Sequence, residues 1–354
     1  MKYCELYKVK GLPVFQNKMF SDCASAQACP TGDIKLVQDM ETGLIFNASF
    51  DESLLEYNAD YQNEQACSGV FKQHLKEVKV MIQKHFADKS LIEVGCGKGY
   101  FLEYMCQAGY EITGIDPAYE GDNPHIIKAP FEPSLGLQAD AIVMRHVLEH
   151  VENPLAFLDA IAKANGGRGK VYIEVPCFDW ICEHRAWFDI FYEHVNYFRL
   201  VDFHRMFDKV YESGHVFGGQ YLYVVADLAT LQPPVLGQGD IFKFPNDFLS
   251  SIDRVAAVAQ GKRNAIWGGA SKGVIFALYM QRAGVDINIV IDVNPAKQEK
   301  YIASTGLKVL SPKQGMKLLQ EGDEVFVMNS NYLQEIIALS NNKFNFITVD
   351  SNEF

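Results

Sequence analysis

The chain has 354 residues, 48% hydrophobic and 21% charged, and a formal net charge of −12. That length exceeds what one core organises, so two or three packed units are expected, and the composition excludes a disordered or fibrous protein. The charge, unbroken by any Lys/Arg run, argues against nucleic acid or an anionic membrane as partner, so an anionic substrate must be held by a few placed cations and backbone N–H groups. Met1–Glu5 carries no apolar leader and no apolar run is long enough to span a bilayer, so a cytoplasmic protein is expected, as monomer or homodimer. None of the eight cysteines forms a C-x-x-C pair, which predicts free thiols in a reducing compartment.

Residues 1–70 hold turn signals at Gly11-Leu-Pro13, Cys29-Pro-Thr-Gly32 and Thr42-Gly43 between the short apolar runs Ile34–Val37 and Leu44–Phe46, and read as a small β-rich appendage. Apolar positions at roughly helical spacing from Phe71 to Phe86 run into the apolar strand Leu91–Val94. Segments then alternate: Tyr100–Ala108 helical, Glu111–Ile115 and Ala141–Met144 extended, Pro154–Ala164 helical, Val171–Val175 extended. This is the pattern of a parallel sheet covered on both faces, placed at 71–230. The Pro- and Gly-bearing stretch Leu231–Gly239 marks a boundary. Beyond it, in 231–354, strands at Asn264–Trp267, Ile287–Asp292, Glu324–Met328 and Phe346–Val349, with a helix at Val274–Ala283, predict a second open α/β sheet.

Glu93-Val-Gly95-Cys-Gly97-Lys-Gly99 follows an apolar strand and opens a helix, the context in which a glycine-rich string binds a nucleotide. Asp116, followed by Pro117, closes the next strand, where a carboxylate accepts hydrogen bonds from ribose hydroxyls. The spacing is G-x-G-x-G, without the G-x-G-x-x-G of dinucleotide sites, which favours S-adenosylmethionine (SAM) over NAD(P) as cofactor. The loop and the acid together resemble class I SAM-dependent methyltransferases. In that family Glu93 sits by the loop, Asp116 binds the ribose, and the strand ending at Arg145-His146 borders the adenine and methionine portions.

Five further strings extend the likeness over nearly the whole chain: His146-Val-Leu-Glu-His150; Ile173-Glu-Val-Pro176 with Asp189-Ile-Phe-Tyr-Glu-His-Val-Asn-Tyr-Phe198; and Trp267-Gly-Gly-Ala-Ser-Lys-Gly273 with Ile291-Asp-Val-Asn-Pro-Ala-Lys-Gln298. Together they resemble the three-domain SAM-dependent nucleotide-sugar C-methyltransferases. The resemblance implies an α/β protein: a central class I methyltransferase (Rossmann-like) domain, a small β-rich N-terminal appendage and a second Rossmann-like C-terminal domain. It implies methylation at C3 of a nucleoside-diphosphate 4-keto-6-deoxysugar through a base-generated enolate. His194 matches the family base, Glu193 its neighbour that orients the ring or contacts the sugar, and His150 the second histidine, aimed at the sugar carbonyl or its enolate. The family tyrosine three residues before the base is Phe191 here, with Tyr192 adjacent, and Tyr61 matches loosely an N-terminal tyrosine that reaches the site. Gly269, Ser271 and Lys272, with Asn294, are implied to hold the nucleotide end of the substrate.

Family members carry two C-x-x-C zinc knuckles in the appendage. Here Cys4 faces Tyr7 at the partner position and the second knuckle reads Asp39-Met-Glu-Thr-Gly43, so no structural zinc is expected. Rival readings are an O- or N-methyltransferase on a sugar or small metabolite, a non-catalytic SAM- or nucleotide-sugar-binding protein, and a nicotinamide-linked enzyme.

Overall fold

The computed structural model describes residues 2–55, 62 and 64–350. Three sheets follow one another along the chain. The first is antiparallel, β1 (Tyr3–Pro13), β2 (Thr31–Asp39) and β3 (Ile45–Asn47), with alternate side chains such as Ile34 and Leu36 turned into the core. The second comprises β4 (Leu91–Val94), β5 (Ile112–Ile115), β6 (Ile126–Ile127), β7 (Ala141–Arg145), β8 (Lys170–Pro176), β9 (Val210–Val216) and β10 (Tyr221–Asp227), in the order β6-β5-β4-β7-β8-β10-β9. Strands β4 to β8 are parallel and β9–β10 are added antiparallel. The third, wholly parallel, comprises β11 (Asn264–Trp267), β12 (Ile289–Ile291), β13 (Val309–Leu310), β14 (Glu324–Val327) and β15 (Asn345–Thr348), in the order β13-β12-β11-β14-β15.

Both α/β sheets start in the middle and grow outwards, so the chain reverses direction across the sheet at β4 and at β11. A crevice opens beyond the carboxyl ends of strands at such a point, and ligands bind there. Each glycine loop leaves from one of these strands.

The helix Gly69–Phe86, capped by the Ser68 hydroxyl, lays Phe71, Leu75, Val78, Ile82 and Phe86 against the second sheet and leaves Val80 in solvent. Within the third unit the helix Lys272–Arg282 is buried over most of its length, because it packs on its own sheet and also on Trp187. A single apolar cluster runs from Leu12 and Ile34 through Phe188 and Phe203 to Phe276 and Phe326. The appendage therefore holds by packing: Tyr7 stacks on Phe244 and its hydroxyl meets that of Tyr279 at 3.0 Å. All eight cysteines are free thiols. Among the described residues no helix is long and apolar enough to cross a membrane.

Candidate active site

The loop after β4 turns through positive φ at Gly95, Gly97 and Gly99. A Cβ at Gly95 would come within 2.4 Å of Val147 and one at Gly99 within 2.5 Å of Ile126, whereas the face of Gly97 is open. Glycine is required there for conformation and close approach together. Asp116 braces the loop, its carboxylate accepting the Gly97 and Ala118 N–H groups at 2.8 Å each. The third sheet repeats the device: Asp292, just after β12, accepts the Gly269 N–H at 2.9 Å and the Asn294 N–H at 2.8 Å.

One cavity of about 330 Å³ reaches both loops. Of the residues singled out from the sequence, Glu93, Gly95, Gly97, Arg145, His146, His150 and His194 line it from the methyltransferase side, and Ser271, Lys272 and Asn294 from the C-terminal side. Gly99, Asp116, Pro117, Tyr192, Glu193 and Gly269 are not among the lining residues. Tyr61 falls outside the described residues.

Beneath the cofactor loop, buried Glu174 gathers Arg145 (3.1 Å), His74 (3.0 Å) and the Tyr172 hydroxyl (2.7 Å). Burial works against its charge, but Arg145 leads the partners that hold its carboxyl well below the ordinary range. His146, at φ +54°, has its ring between Glu149 (3.4 Å) and Glu174 (3.3 Å). Burial alone would lower it, yet the two carboxylates lift its pKa to about 9, so it is cationic at neutral pH. Glu93 is 4% exposed, with one carboxylate oxygen buried and without a hydrogen-bond partner among the described residues, and burial pushes its carboxyl up to about 8 despite Arg145 nearby.

The two histidines of the pocket meet edge to face, ring centroids 5.0 Å apart. His150 Nδ1–H donates to the backbone carbonyl of Glu193 at 2.8 Å; since a carbonyl only accepts, the proton sits on Nδ1. His194 packs against Phe191 at 4.0 Å, and burial, then the charges of His150, His146 and Lys272, hold its pKa well below the ordinary value. It is a neutral imidazole at pH 7. Buried Glu149, which the sequence reading passed over, completes the group: one donor atom each from Glu149, His150 and His194 lie within 4.8 Å of one another.

The Glu193-His194 pair splits. Glu193 turns its carboxylate away from the cavity to accept the Gln16 N–H (2.9 Å), the Asn17 N–H (3.2 Å) and Asn17 Nδ2–H (2.9 Å). Tyr192 points the same way, its hydroxyl accepting the Asp51 N–H at 2.8 Å. On the C-terminal loop, Lys272 pairs with Asp189 at 2.9 Å and lies over Trp180, so in this arrangement its charge serves the domain contact. Asn294 donates to the Glu64 carbonyl at 3.2 Å. Asp292 was legible as the counterpart of Asp116, an acid closing the strand after a glycine loop; Asn17 comes from an irregular segment and left no signal.

Residues 62–210 match the family described as a methyltransferase domain, and residues 238–346 the family described as the C-methyltransferase C-terminal domain. The chain is 24% identical over 286 residues to the C-methyltransferase NovU of Streptomyces niveus, covering 70% of this chain and 68% of that protein. It is 31% identical over 91 residues to a ubiquinone biosynthesis O-methyltransferase of Pseudoalteromonas translucida, covering 22% of this chain and 39% of that protein. Among solved structures, the PH0226 protein of Pyrococcus horikoshii aligns with a TM-score of 0.37 at 11% identity, over 49% of this chain and 99% of that one. The plantazolicin methyltransferase BpumL aligns with a TM-score of 0.27 at 20% identity, over 32% of this chain and 48% of that one. The protein is a SAM-dependent methyltransferase. Its second α/β unit places it more narrowly: it belongs to the C-methyltransferases that carry this C-terminal domain.

The residues fit SAM: the open face of Gly97 admits a ligand against the backbone, and the orphaned Glu93 oxygen lacks only a cationic donor such as an amino group. A carboxyl held near 8 is neutral at pH 7 and must ionise to pair with that cation. SAM binding at pH 7 is thus expected to release close to one proton, read from the dependence of the calorimetric binding enthalpy on buffer ionisation. Glu93→Gln should weaken SAM roughly tenfold or more. It should also stabilise the ligand-free protein. With a folded pKa near 8 against 4.5 for the free carboxyl, the folded state binds more protons and loses stability as pH rises through that window, on the order of 3 kcal/mol at pH 7.

Proposed function

We propose that the protein methylates C3 of a nucleoside-diphosphate 4-keto-6-deoxysugar, with modules 1–70, 71–230 and 231–354 closing around the substrate. The observation that carries this reading is one cavity lined by His194 and by both glycine loops; we assign the first loop to SAM and the second to a diphosphate. SAM supplies an electrophilic methyl group. The C3–H beside the ketone is acidic enough for a positioned neutral imidazole to remove, and His194 is that base. Its proton leaves as electron density shifts onto the carbonyl oxygen, and the carbanionic carbon then takes the methyl group. His150, fixed through Nδ1, presents Nε2 towards the group that reacts. The aromatic wall of Phe191 keeps water from the basic nitrogen.

The test is mass-spectrometric turnover with SAM and TDP- and GDP-linked 4-keto-6-deoxysugars in deuterated water. A methylated product from which the C3 hydrogen is gone supports carbon methylation; methylation of a hydroxyl or amine with the C3 hydrogen retained moves the assignment to an O- or N-methyltransferase.

A further inference from the structure

Glu193 belongs to the methyltransferase unit, and its carboxylate is held by Gln16 and Asn17 of the appendage, which are in turn bonded to the C-terminal unit. From the C-terminal glycine loop, Ser271 donates its N–H to the Gln16 carbonyl at 3.0 Å and its hydroxyl to Asn17 Oδ1 at 2.7 Å. From the appendage, Asn17 Nδ2–H and the two backbone N–H groups of Gln16 and Asn17 close on the Glu193 carboxylate, while Gln16 Oε1 takes the Glu193 N–H at 3.2 Å. From the methyltransferase unit, His150 Nδ1–H is fastened to the Glu193 carbonyl, and His194 follows directly in the chain.

The residues after the base are held from the same side. β3 exchanges backbone hydrogen bonds with the segment behind His194: Asn47 N–H to Val195 O at 2.8 Å, and Tyr197 N–H to Ile45 O at 2.9 Å. Ser271 sits at φ +43°, ψ −104°, a conformation that is strained for a residue with a Cβ and persists only where neighbours over-determine it. Here its two hydrogen bonds to Gln16 and Asn17 do so, on a loop whose other face lines the cavity.

We infer that Asn17 is a positioning residue, through which the C-terminal glycine loop sets the aim of His150 and His194. Its side-chain amide is the direct link between Ser271 and Glu193: the oxygen takes the serine proton and the nitrogen grips the carboxylate. A group filling the loop acts first on Ser271, and the connection carries that to the residue on which both histidines hang. The idea rests on the reading of His194 and His150 as the reacting pair, but its first test needs no substrate.

Histidine ring spectra of the ligand-free protein, recorded by 1H–13C NMR for wild type, Asn17→Ala and Ser271→Ala, should show the His150 and His194 signals displaced in both variants, with His125 and His204 unmoved. Unchanged His150 and His194 signals in Asn17→Ala would overturn the inference whatever the substrate proves to be. With a turned-over 4-keto sugar, Asn17→Ala should lower kcat by about 10²-fold, as expected for misplaced catalytic groups, with KM within about threefold. A variant that unfolds earlier yet keeps the wild-type kcat below its transition would make Asn17 a structural residue only. Failure of every 4-keto sugar in wild type would count against the proposed substrate, and the ring spectra would still decide the role of Asn17.

Discussion

His194→Gln is expected to lower kcat by about 10²- to 10⁴-fold, the usual contribution of a positioned general base, while SAM binding measured by calorimetry stays within about twofold. Glutamine nearly fills the imidazole volume and makes polar contacts but takes up no proton at neutral pH. The pH dependence has a defined sign. Burial and the neighbouring cations hold the His194 pKa well below 6.5, so the imidazole stays neutral and competent as pH drops below that value, and the acidic limb of the kcat/KM profile should lie below 6.5. The same shift means that the folded state binds fewer protons than the unfolded one in this window, so His194 contributes a loss of stability as pH falls through 6.5. A His194→Gln enzyme with near wild-type turnover would remove the base from this residue and leave His150 to be tested in its place.

The backbone plan was legible because each signal was local. The apolar strand Leu91–Val94 ahead of a G-x-G-x-G loop, an acid closing the next strand, and the repeat of that arrangement at Trp267–Gly273 with Ile291-Asp292 all lie within short windows. The strands Val210–Val216 and Tyr221–Asp227 escaped the reading, although Tyr-Leu-Tyr-Val-Val-Ala is rich in aromatic and β-branched residues. They join antiparallel, outside the strand–helix alternation that organised the rest.

Side-chain direction was the larger gap. The family resemblance implies that Glu193 orients the His194 ring or contacts the sugar; in this structure the two neighbouring side chains point to opposite sides, Glu193 to the appendage and His194 to the cavity. Glu149, the residue directly before His150, does stand beside the histidines, and only tertiary structure brings residues 149 and 194 together. Lys272, on the loop where a charge for a diphosphate is expected, lines the cavity and is paired with Asp189, a partner distant in sequence.

Glu193 provides the sharpest contrast among the expected results, because its two natural substitutions should part company. Glu193→Ala strips the acceptor from three buried donors, the Gln16 and Asn17 N–H groups and Asn17 Nδ2, and leaving donors to a charged group unsatisfied costs on the order of 3–5 kcal/mol in total. Glu193→Gln keeps one oxygen for the two backbone N–H groups. Its new amide nitrogen opposes Asn17 Nδ2, and an Asn17 flip relieves this at the cost of presenting Ser271 with a donor, which a hydroxyl can accept. Burial outweighs these donors and raises the Glu193 carboxyl above its usual value, so loss of the charge itself is no great penalty. Thermal unfolding should therefore show Glu193→Ala losing several degrees or failing to fold, and Glu193→Gln remaining close to wild type with only a modest loss of kcat. If Glu193→Gln instead folds normally and is as inactive as His194→Gln, the carboxylate must turn into the cavity during the reaction, and Glu193 would have to be counted among the groups that touch the sugar.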